Sequence, residues 1–333
     1  MADRIFAYSS SPHVKNPRTT KHIMIDVCIA LAPACIMGIV YFGYMAALLL
    51  VVSVLSAVAS EFIYLLITGK KFKQIIQGFD YTSCVTGLLF AMSIGVQTPI
   101  YVPIIGNAFA IIVVKMIFGG TGKNLVNPAV TGRIFAFISF TSVMASGWVA
   151  PSIGAILGGS SINPLTGATV LTDGFATPTV ASLSNLDLLL GTGLAGCIGE
   201  TCKIALLIGG VYLVVRKVIS PTVPLIYIAV TGLFTVCLCC FDFAEFLPSI
   251  LSGGLILGAV FMATDYTTSP NTFVGNIVYA VMLGLITAGL RVSSGKEVVS
   301  FAILIMNLIV PLIDKFIIPR PFGYKKAKKG GAN

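Results

Sequence analysis

A threonine-rich stretch at residues 163–179 carries the first candidate for chemistry. It reads NPLTGATVLTDGFATPT. The small Gly-Ala-Thr segment within it gives a modifying enzyme close access to a hydroxyl group. A phosphoester formed there would add negative charge and a bulky group. The alternative is an unmodified polar loop or an O-modified linker.

Ionisable residues inside apolar runs form a second set of candidates. A charge within a bilayer is costly, so such residues are functional candidates by default. They are Asp26, Glu61, Lys115, Glu200, Lys203, Asp265 and Arg291. Asp26 and Lys115 lie deepest, and we expect them to pair with each other or to line an ion or electron-transfer site. Alternatively, Glu61, Asp265 and Arg291 lie at the membrane surface, where the cost is small.

The glycine-rich segment 118–133 reads FGGTGKNLVNPAVTGR. It lacks the spacing of a P-loop because Asn124 follows Lys123, so ATP binding is weakly supported. Lys123 and Arg133 could instead hold an anionic group or a flavin. The alternative is a tight turn between two membrane spans.

The cysteines give no metal motif. None of the eight forms a CxxC pair and the chain has only two histidines, so no metal site is predicted. The cluster Cys237, Cys239 and Cys240 allows an iron–sulfur interpretation, but it falls in an apolar run where buried cysteine is a common small filler.

The elements that must position these residues are membrane helices. The chain has 333 residues, of which 10% are charged and 56% hydrophobic, whereas soluble proteins carry about 25% charged residues. This excludes a soluble enzyme and predicts an all-α integral membrane protein. At roughly 20 apolar residues per crossing, hydropathy gives about ten spans: 23–43, 44–67, 82–97, 104–118, 129–148, 200–215, 222–240, 247–264, 274–290 and 297–318. The apolar stretch 186–199 is too short to cross and is a candidate re-entrant segment.

The positive charges predict the topology. The net charge of +9 indicates cytoplasmic loops rather than nucleic-acid binding. With ten spans and both termini cytoplasmic, the outer loops hold only Lys203, Arg291 and Lys296 of the 21 Lys and Arg residues. The long loop 149–187 holds none and is predicted to be extracytoplasmic.

The two halves of the sequence resemble each other. Residues 86–99 are similar to 253–270, and residues 106–120 to 275–289. Each copy holds five predicted spans. Because an odd number of spans forces opposite orientations, we expect two inverted five-helix repeats.

Several motifs together carry a family resemblance. The run SPHVKNPRTTKHIMIDVCIALAPA at 11–34, the segment FGGTGKNLVNPAVTGRIF, GCIGETCKIALLIGGVYL at 196–213, FMATDYTTSP at 261–270 and SFAILIMNLIVPLID at 300–314 resemble the RnfD/NqrB family. The similarity covers nearly the whole chain, and the length fits the RnfD branch. This family comprises integral subunits of ion-translocating Rnf complexes and of Na⁺-pumping NADH:quinone oxidoreductases.

The resemblance implies ten transmembrane helices in two inverted halves and a covalent FMN. In the family, a flavin transferase attaches FMN through a phosphodiester to a threonine in an extracytoplasmic loop. The family motif, Asp-x-x-Ser/Thr-Gly-Ala-Thr, matches Thr166, Gly167, Ala168 and Thr169, with Asn163 in place of the Asp. Thr169 is the first choice for attachment. Thr177 is the second, because Asp173 and the Ala-Thr-Pro run are kept there.

The function implied is that of the D subunit of an Rnf-type ferredoxin:NAD⁺ oxidoreductase, coupled to Na⁺ or H⁺ translocation. The expected partners are the Rnf proteins A, B, C, E and G, the flavin transferase and membrane lipid, with ferredoxin and NAD⁺ bound by partner subunits. A second, non-covalent flavin is a further expectation. The residues weighed for ion coupling or for that flavin are Asp26, Lys115, Arg133, Glu200 and Asp265. The alternative function is a urea-transporter-like channel for a small solute, since such proteins also have inverted five-helix repeats.

The resulting domain organisation places the chain in a prokaryotic cell (inner) membrane. It comprises a cytoplasmic N-terminal segment (1–22), a first five-helix repeat (23–148), an extracytoplasmic loop with the flavin site (149–187), a second five-helix repeat (188–318) and a basic cytoplasmic tail (319–333).

Overall fold

The regular secondary structure of the described residues is helical. A computed structural model describes residues 18–146, 148–149, 185–191, 195–239, 241, 243, 246–294 and 298–318. In chain order its helices are α1 (Thr20–Phe42), α2 (Tyr44–Ile67), α3 (Phe72–Gly78), α4 (Thr82–Met92), α5 (Tyr101–Ala108), α6 (Pro128–Ser139), α7 (Thr141–Ser146), α8 (Asn185–Leu190), α9 (Lys203–Val215), α10 (Thr222–Leu238), α11 (Phe246–Leu251), α12 (Leu255–Leu257), α13 (Phe273–Ser294) and α14 (Val299–Phe316). Two π-helical segments continue α5 and α12: π1 (Phe109–Met116) and π2 (Gly258–Met262).

Four of these helices are long and apolar enough to cross a membrane. They are α1, α2, α13 and α14, with 18 to 24 residues each. Five shorter apolar helices accompany them: Thr82–Met92, Tyr101–Met116, Pro128–Ser139, Lys203–Val215 and Thr222–Leu238. The predicted class, an all-α protein with several membrane-span candidates, is confirmed.

The predicted span 82–97 is too long, because α4 ends at Met92. The residues that follow include Gly95 and Pro99, which disfavour a continuing helix. Their backbone is satisfied by the segment before α9: the Ile198 amide donates to the Ile94 carbonyl (3.1 Å) and the Gly199 amide to the Met92 carbonyl (2.8 Å). Irregular backbone is tolerated at membrane depth only where protein covers it in this way.

Glycines allow the main helix pairs to approach closely. α1 packs along α9, α2 along α4, and α10 along α13. A Cβ atom added to Gly209 of α9 would lie 2.1 Å from the Ala30 carbonyl oxygen, and one added to Gly87 of α4 would lie 2.8 Å from the Ser53 carbonyl oxygen. Small residues at helix contacts are typical of packing in lipid, where dispersion contacts drive association.

The larger of two apolar clusters among the described residues draws on both halves of the chain. Leu31, Phe90, Ile198, Tyr227 and Met306 are all buried within it. The five come from α1, α4, the segment before α9, α10 and α14. The irregular segments and the polar side chains described next are therefore held in fixed positions by a shared apolar framework.

Candidate functional site

The candidate flavin-attachment residues lie outside the described part of the chain. Thr166, Gly167, Ala168, Thr169 and Thr177 all belong to the undescribed stretch 150–184. The assignment of the attachment site stays a prediction.

Lys115 is the centre of a buried charged cluster. It lies on π1, is 1% exposed, and its ammonium is 2.9 Å from Glu61 Oε1 and 3.9 Å from Asp80 Oδ1. It also donates to Thr82 Oγ1 at 2.5 Å. The second Glu61 oxygen accepts a hydrogen bond from the Ser83 hydroxyl. One ammonium thus faces two carboxylates, which leaves this cluster with a formal charge of −1 when all three groups are ionised.

Asp80 is fixed by its neighbours. The Thr82 hydroxyl donates to Asp80 Oδ1 and the Thr121 hydroxyl to Asp80 Oδ2, each at 2.6 Å. Burial alone would raise the pKa of Asp80, but the Lys115 charge and these hydroxyl groups outweigh it, so the pKa lies below the ordinary value. Asp80 is therefore a permanent carboxylate at neutral pH.

Asp26 does not pair with Lys115, so that expectation is wrong. Asp26 Oδ1 instead accepts hydrogen bonds from Arg216 Nη2 and from the Tyr212 hydroxyl, both at 3.1 Å. The physical reason is helix packing: α1 lies against α9, whose C-terminal end carries Tyr212 and Arg216. Lys115 contacts α2 and α4 residues instead.

Glu61 and Arg291 are buried inside the protein (7% and 1% exposed), and their expected level at the membrane surface stays a prediction. Arg291 donates to the backbone carbonyls of Ser249 (2.7 Å) and Ser252 (3.1 Å). These carbonyls lie at the C-terminal end of α11, where a positive charge is favourable. Arg291 thereby stabilises a helix that ends within the fold.

Arg133 and Glu200 are brought to one place by the segment before α9. Arg133 Nη1 donates to Ser300 Oγ at 2.6 Å, and its Nη2 lies 3.8 Å from Cys197 Sγ. Glu200 Oε2 accepts from the Cys197 backbone amide at 3.4 Å. All of these residues are buried. Residue spacing gives no sign of this cluster, because Arg133 and Glu200 are 67 positions apart.

A cavity of about 300 Å³ lies between the two halves of the chain. Ile23, Met24 and Val27 of α1 form an apolar wall, and Val260 and Phe261 of π2 form another. The polar lining groups include Thr82, Lys115, Thr121, Asn124 and Asp265. The Lys115 cluster thus opens onto this cavity, which lies at the small end of the size range of ligand pockets.

Two features of the cavity favour a polar ligand. The side-chain oxygen of Asn124 is buried and accepts no hydrogen bond within the described chain. Asp265 accepts hydrogen bonds from the hydroxyls of Thr267 (3.0 Å) and Thr268 (3.4 Å). Burial nevertheless raises the pKa of Asp265, against the lowering effect of these donors. An apolar pocket with a few directed polar groups is typical of a cofactor site.

The glycine-rich segment 118–133 is a turn that also lines this cavity. Gly119, Gly120 and Gly122 have φ angles of 107°, 90° and 88°, which favour glycine. Asn127 then caps α6 by accepting from the Ala129 amide (3.0 Å) and donates to the Met262 carbonyl (3.2 Å). Sequence reasoning missed Asn127, although Asn before Pro at a helix start is a recognisable signal.

No metal site is present among the residues that the structure describes: no group of three or more His, Cys, Asp or Glu could hold an ion. In the cluster that allowed an iron–sulfur interpretation, Cys237 is exposed with a free thiol and Cys239 is partly buried.

Comparisons with known proteins place this geometry in context. The model of the NQR2, RnfD, RnfE family matches residues 7–323. The chain is 38% identical to the D subunit of the Na⁺-translocating ferredoxin:NAD⁺ oxidoreductase complex of Acetobacterium woodii, with 96% of each chain covered. It is 34% identical to the D subunit of the proton-translocating ferredoxin:NAD⁺ oxidoreductase complex of Clostridium ljungdahlii, with 97% of each covered. It is 31% identical to the D subunit of the ion-translocating oxidoreductase complex of Alcanivorax borkumensis, with 97% of this chain and 98% of the relative covered.

Proposed function

Because this chain belongs to the NQR2, RnfD, RnfE family, we propose that it is the D subunit of an ion-translocating ferredoxin:NAD⁺ oxidoreductase complex. The observation that carries the proposal is the coverage: relatives with that name match over nearly their full length. The other Rnf proteins, A, B, C, E and G, are the proposed partners. Ferredoxin and NAD⁺ would bind to those proteins.

The proposed architecture is ten spans in two inverted five-helix halves. In the first half α2 packs on α4 and α5, and in the second half α10 packs on α11 and α13, a pattern that supports equivalent halves. The three short helical segments α11, α12 and π2 would together form the eighth of the ten spans. Both termini would be cytoplasmic and the loop 149–187 extracytoplasmic, in a prokaryotic cell (inner) membrane.

The proposed role is to hold a covalent FMN outside the membrane as an electron relay. FMN, attached by a flavin transferase to Thr169 or, as second choice, Thr177, supplies the redox chemistry when bound. The protein would supply position and electrostatics. A phosphodiester keeps the group at a fixed place and prevents its loss by dissociation.

A denaturing gel tests this role. The chain is expressed in a host with the flavin transferase, and the gel is viewed under ultraviolet light. We expect a fluorescent band at 35.0 kDa, lost in Thr169→Ala and kept in Thr177→Ala. Fluorescence that survives Thr169→Ala and disappears in Thr177→Ala would move the site to Thr177. A dark wild-type band would reject the electron-carrier role and favour a solute channel.

We also propose that the cavity holds the second, non-covalent flavin. The apolar walls, the Asn124 oxygen that has no donor among the described residues and the nearby Lys115 charge support a planar polar ligand. Acid precipitation of the purified protein separates the two kinds of flavin, because a covalent flavin stays with the pellet. Ala129→Phe fills the cavity, so we expect the supernatant of this variant to contain no flavin. The fluorescence of the gel band, which reports the covalent flavin, should not change. Unchanged supernatant flavin would reject the cavity as its site.

The buried charges are the proposed residues for ion coupling. They are Asp26, Lys115, Arg133, Glu200 and Asp265. Intramembrane charges of this kind commonly mark ion or proton paths. The test is transport by the whole complex in liposomes: we expect Lys115→Gln to reduce ion uptake while electron transfer in the uncoupled complex continues. Equal loss of both would assign Lys115 to folding or flavin binding.

A further inference from the structure

The end of α2, the turn after it and the short helix α3 present lysines and large apolar side chains together. Ile67 at the end of α2, Phe72 and Ile76 are 80%, 61% and 52% exposed. Lys70, Lys71 and Lys73 are exposed among them. We call these six residues the α3 surface. Mixed basic and apolar exposure on one short segment is typical of chains that lie in a membrane interface.

This surface is fixed to the body of the protein. Ile75 is 2% exposed and anchors α3. The Phe72 ring packs edge-on against Phe62 of α2, with centroids 6.2 Å apart. The Lys21 ammonium donates to the Gln77 carbonyl at 2.8 Å. These contacts hold α3 in place, while much of Phe72 and Ile76 stays exposed.

The surface lies where a membrane surface would be. α2 has 24 residues and, at about 1.5 Å per residue, exceeds the roughly 30 Å hydrocarbon core. Its exposed apolar side chains continue from Val51 and Leu55 through Ile63 to Ile67. This stripe, which would face lipid tails, runs directly into Phe72 and Ile76, so α3 would emerge at headgroup level.

The lysines have no acidic neighbour in their own segment. Residues 62–79 contain no Asp or Glu. The flanking carboxylates, Glu61 and Asp80, both face Lys115 inside the protein. Among the described residues no salt bridge involves Lys70, Lys71 or Lys73. Three positive charges therefore remain to attract an external anion.

Resting on the proposed orientation with cytoplasmic termini, we propose that the α3 surface binds anionic phospholipid of the cytoplasmic leaflet. The lysines would hold the phosphate headgroup, and Ile67, Phe72 and Ile76 would contact the upper acyl chains. Continuity with the apolar stripe of α2 favours lipid over a neighbouring protein subunit. Lipid binding there would secure the turn between α2 and α4, which carries Asp80 of the buried cluster.

Native mass spectrometry of the full-length chain in detergent tests the proposal, with phosphatidylglycerol and phosphatidylcholine as probes. We expect preferential binding of phosphatidylglycerol. Its affinity should fall roughly fivefold for each lysine removed, or on the order of a hundredfold in Lys70→Gln/Lys71→Gln/Lys73→Gln. The matched control Lys70→Arg/Lys71→Arg/Lys73→Arg keeps the charges and should keep the affinity. The thermal midpoint without lipid shows whether each variant is folded.

Two results would overturn the proposal. One is equal phosphatidylglycerol binding by the wild type and the folded Gln variant. The other is unchanged lipid binding together with loss of co-purifying subunits from the complex, which would assign the α3 surface to a protein partner instead.

Discussion

The Lys115 ammonium on π1 lies 2.9 Å from the Glu61 carboxylate on α2, and both side chains are buried. A π-helical turn shifts side chains relative to a regular helix and is frequent at functional sites. Here it coincides with a lysine that reaches α2, the start of α4 and the cavity at once. Lys115 therefore lines the cavity and at the same time contacts the buried carboxylates of Glu61 and Asp80.

Removing one partner of this pair should be costly. We expect Lys115→Met to lower the free energy of unfolding by about 3 kcal/mol, because Glu61 would remain buried without its counter-charge. The double variant Glu61→Gln/Lys115→Met should recover most of that loss. Thermal unfolding in detergent measures both. Additive losses in the double variant would show that the two residues do not interact energetically.

The Asn127 side chain should contribute more to stability than its neighbour in the same turn. Asn127→Ala removes the α6 cap and the bond to the Met262 carbonyl, and we expect a loss of about 1–2 kcal/mol. Asn124→Ala is the matched control, since the Asn124 oxygen has no donor in the described chain. The comparison is made by thermal unfolding after non-covalent flavin is removed. Equal effects of the two substitutions would contradict the role of Asn127.

A methyl group at Gly209 should separate α1 from α9. The added Cβ of Gly209→Ala would lie 2.1 Å from the Ala30 carbonyl oxygen, and overpacking of this kind costs about 1–3 kcal/mol. Gly289→Ala on α13 is the control, because its Cβ would meet no atom of the described residues within 4 Å. We expect the control to be neutral or slightly stabilising. A thermal midpoint for Gly209→Ala equal to that of the wild type would contradict the close approach.

Asp265 should make stability depend on pH. Folding raises its pKa, so the folded state binds the proton more tightly than the unfolded state does. The contribution of Asp265 to the free energy of unfolding is complete when the pH is below the pKa of the unfolded state. It is lost as the pH rises through the pKa of the folded state. Asp265→Asn should therefore raise the thermal midpoint at about pH 7 and have less effect at about pH 4. An equal gain at both pH values would point to a cause other than titration.

The helical membrane class could be predicted from the sequence because lipid tolerates few charges and requires backbone hydrogen bonds to be satisfied within each segment. The end of the helix that begins at Thr82 does not follow from composition in this way. Its apolar residues continue past Met92, where Gly95 and Pro99 disfavour the helix and the pairing of Ile94 with Ile198 satisfies the backbone instead. That pairing joins positions 104 apart in the chain, which periodicity cannot register.

By itself the sequence determined that this is a membrane protein, roughly where its apolar helices lie and which family it belongs to. These properties depend on composition and on local motifs. The tertiary structure alone decided which charges meet. As two opposite charges inside apolar runs, Asp26 and Lys115 were expected to pair with each other. However, α1 packs against α9, and π1 packs against α2. Asp26 therefore pairs with Arg216, and Lys115 with Glu61. Charge pairing in a membrane follows helix packing, and that depends on shape complementarity between segments distant in the sequence.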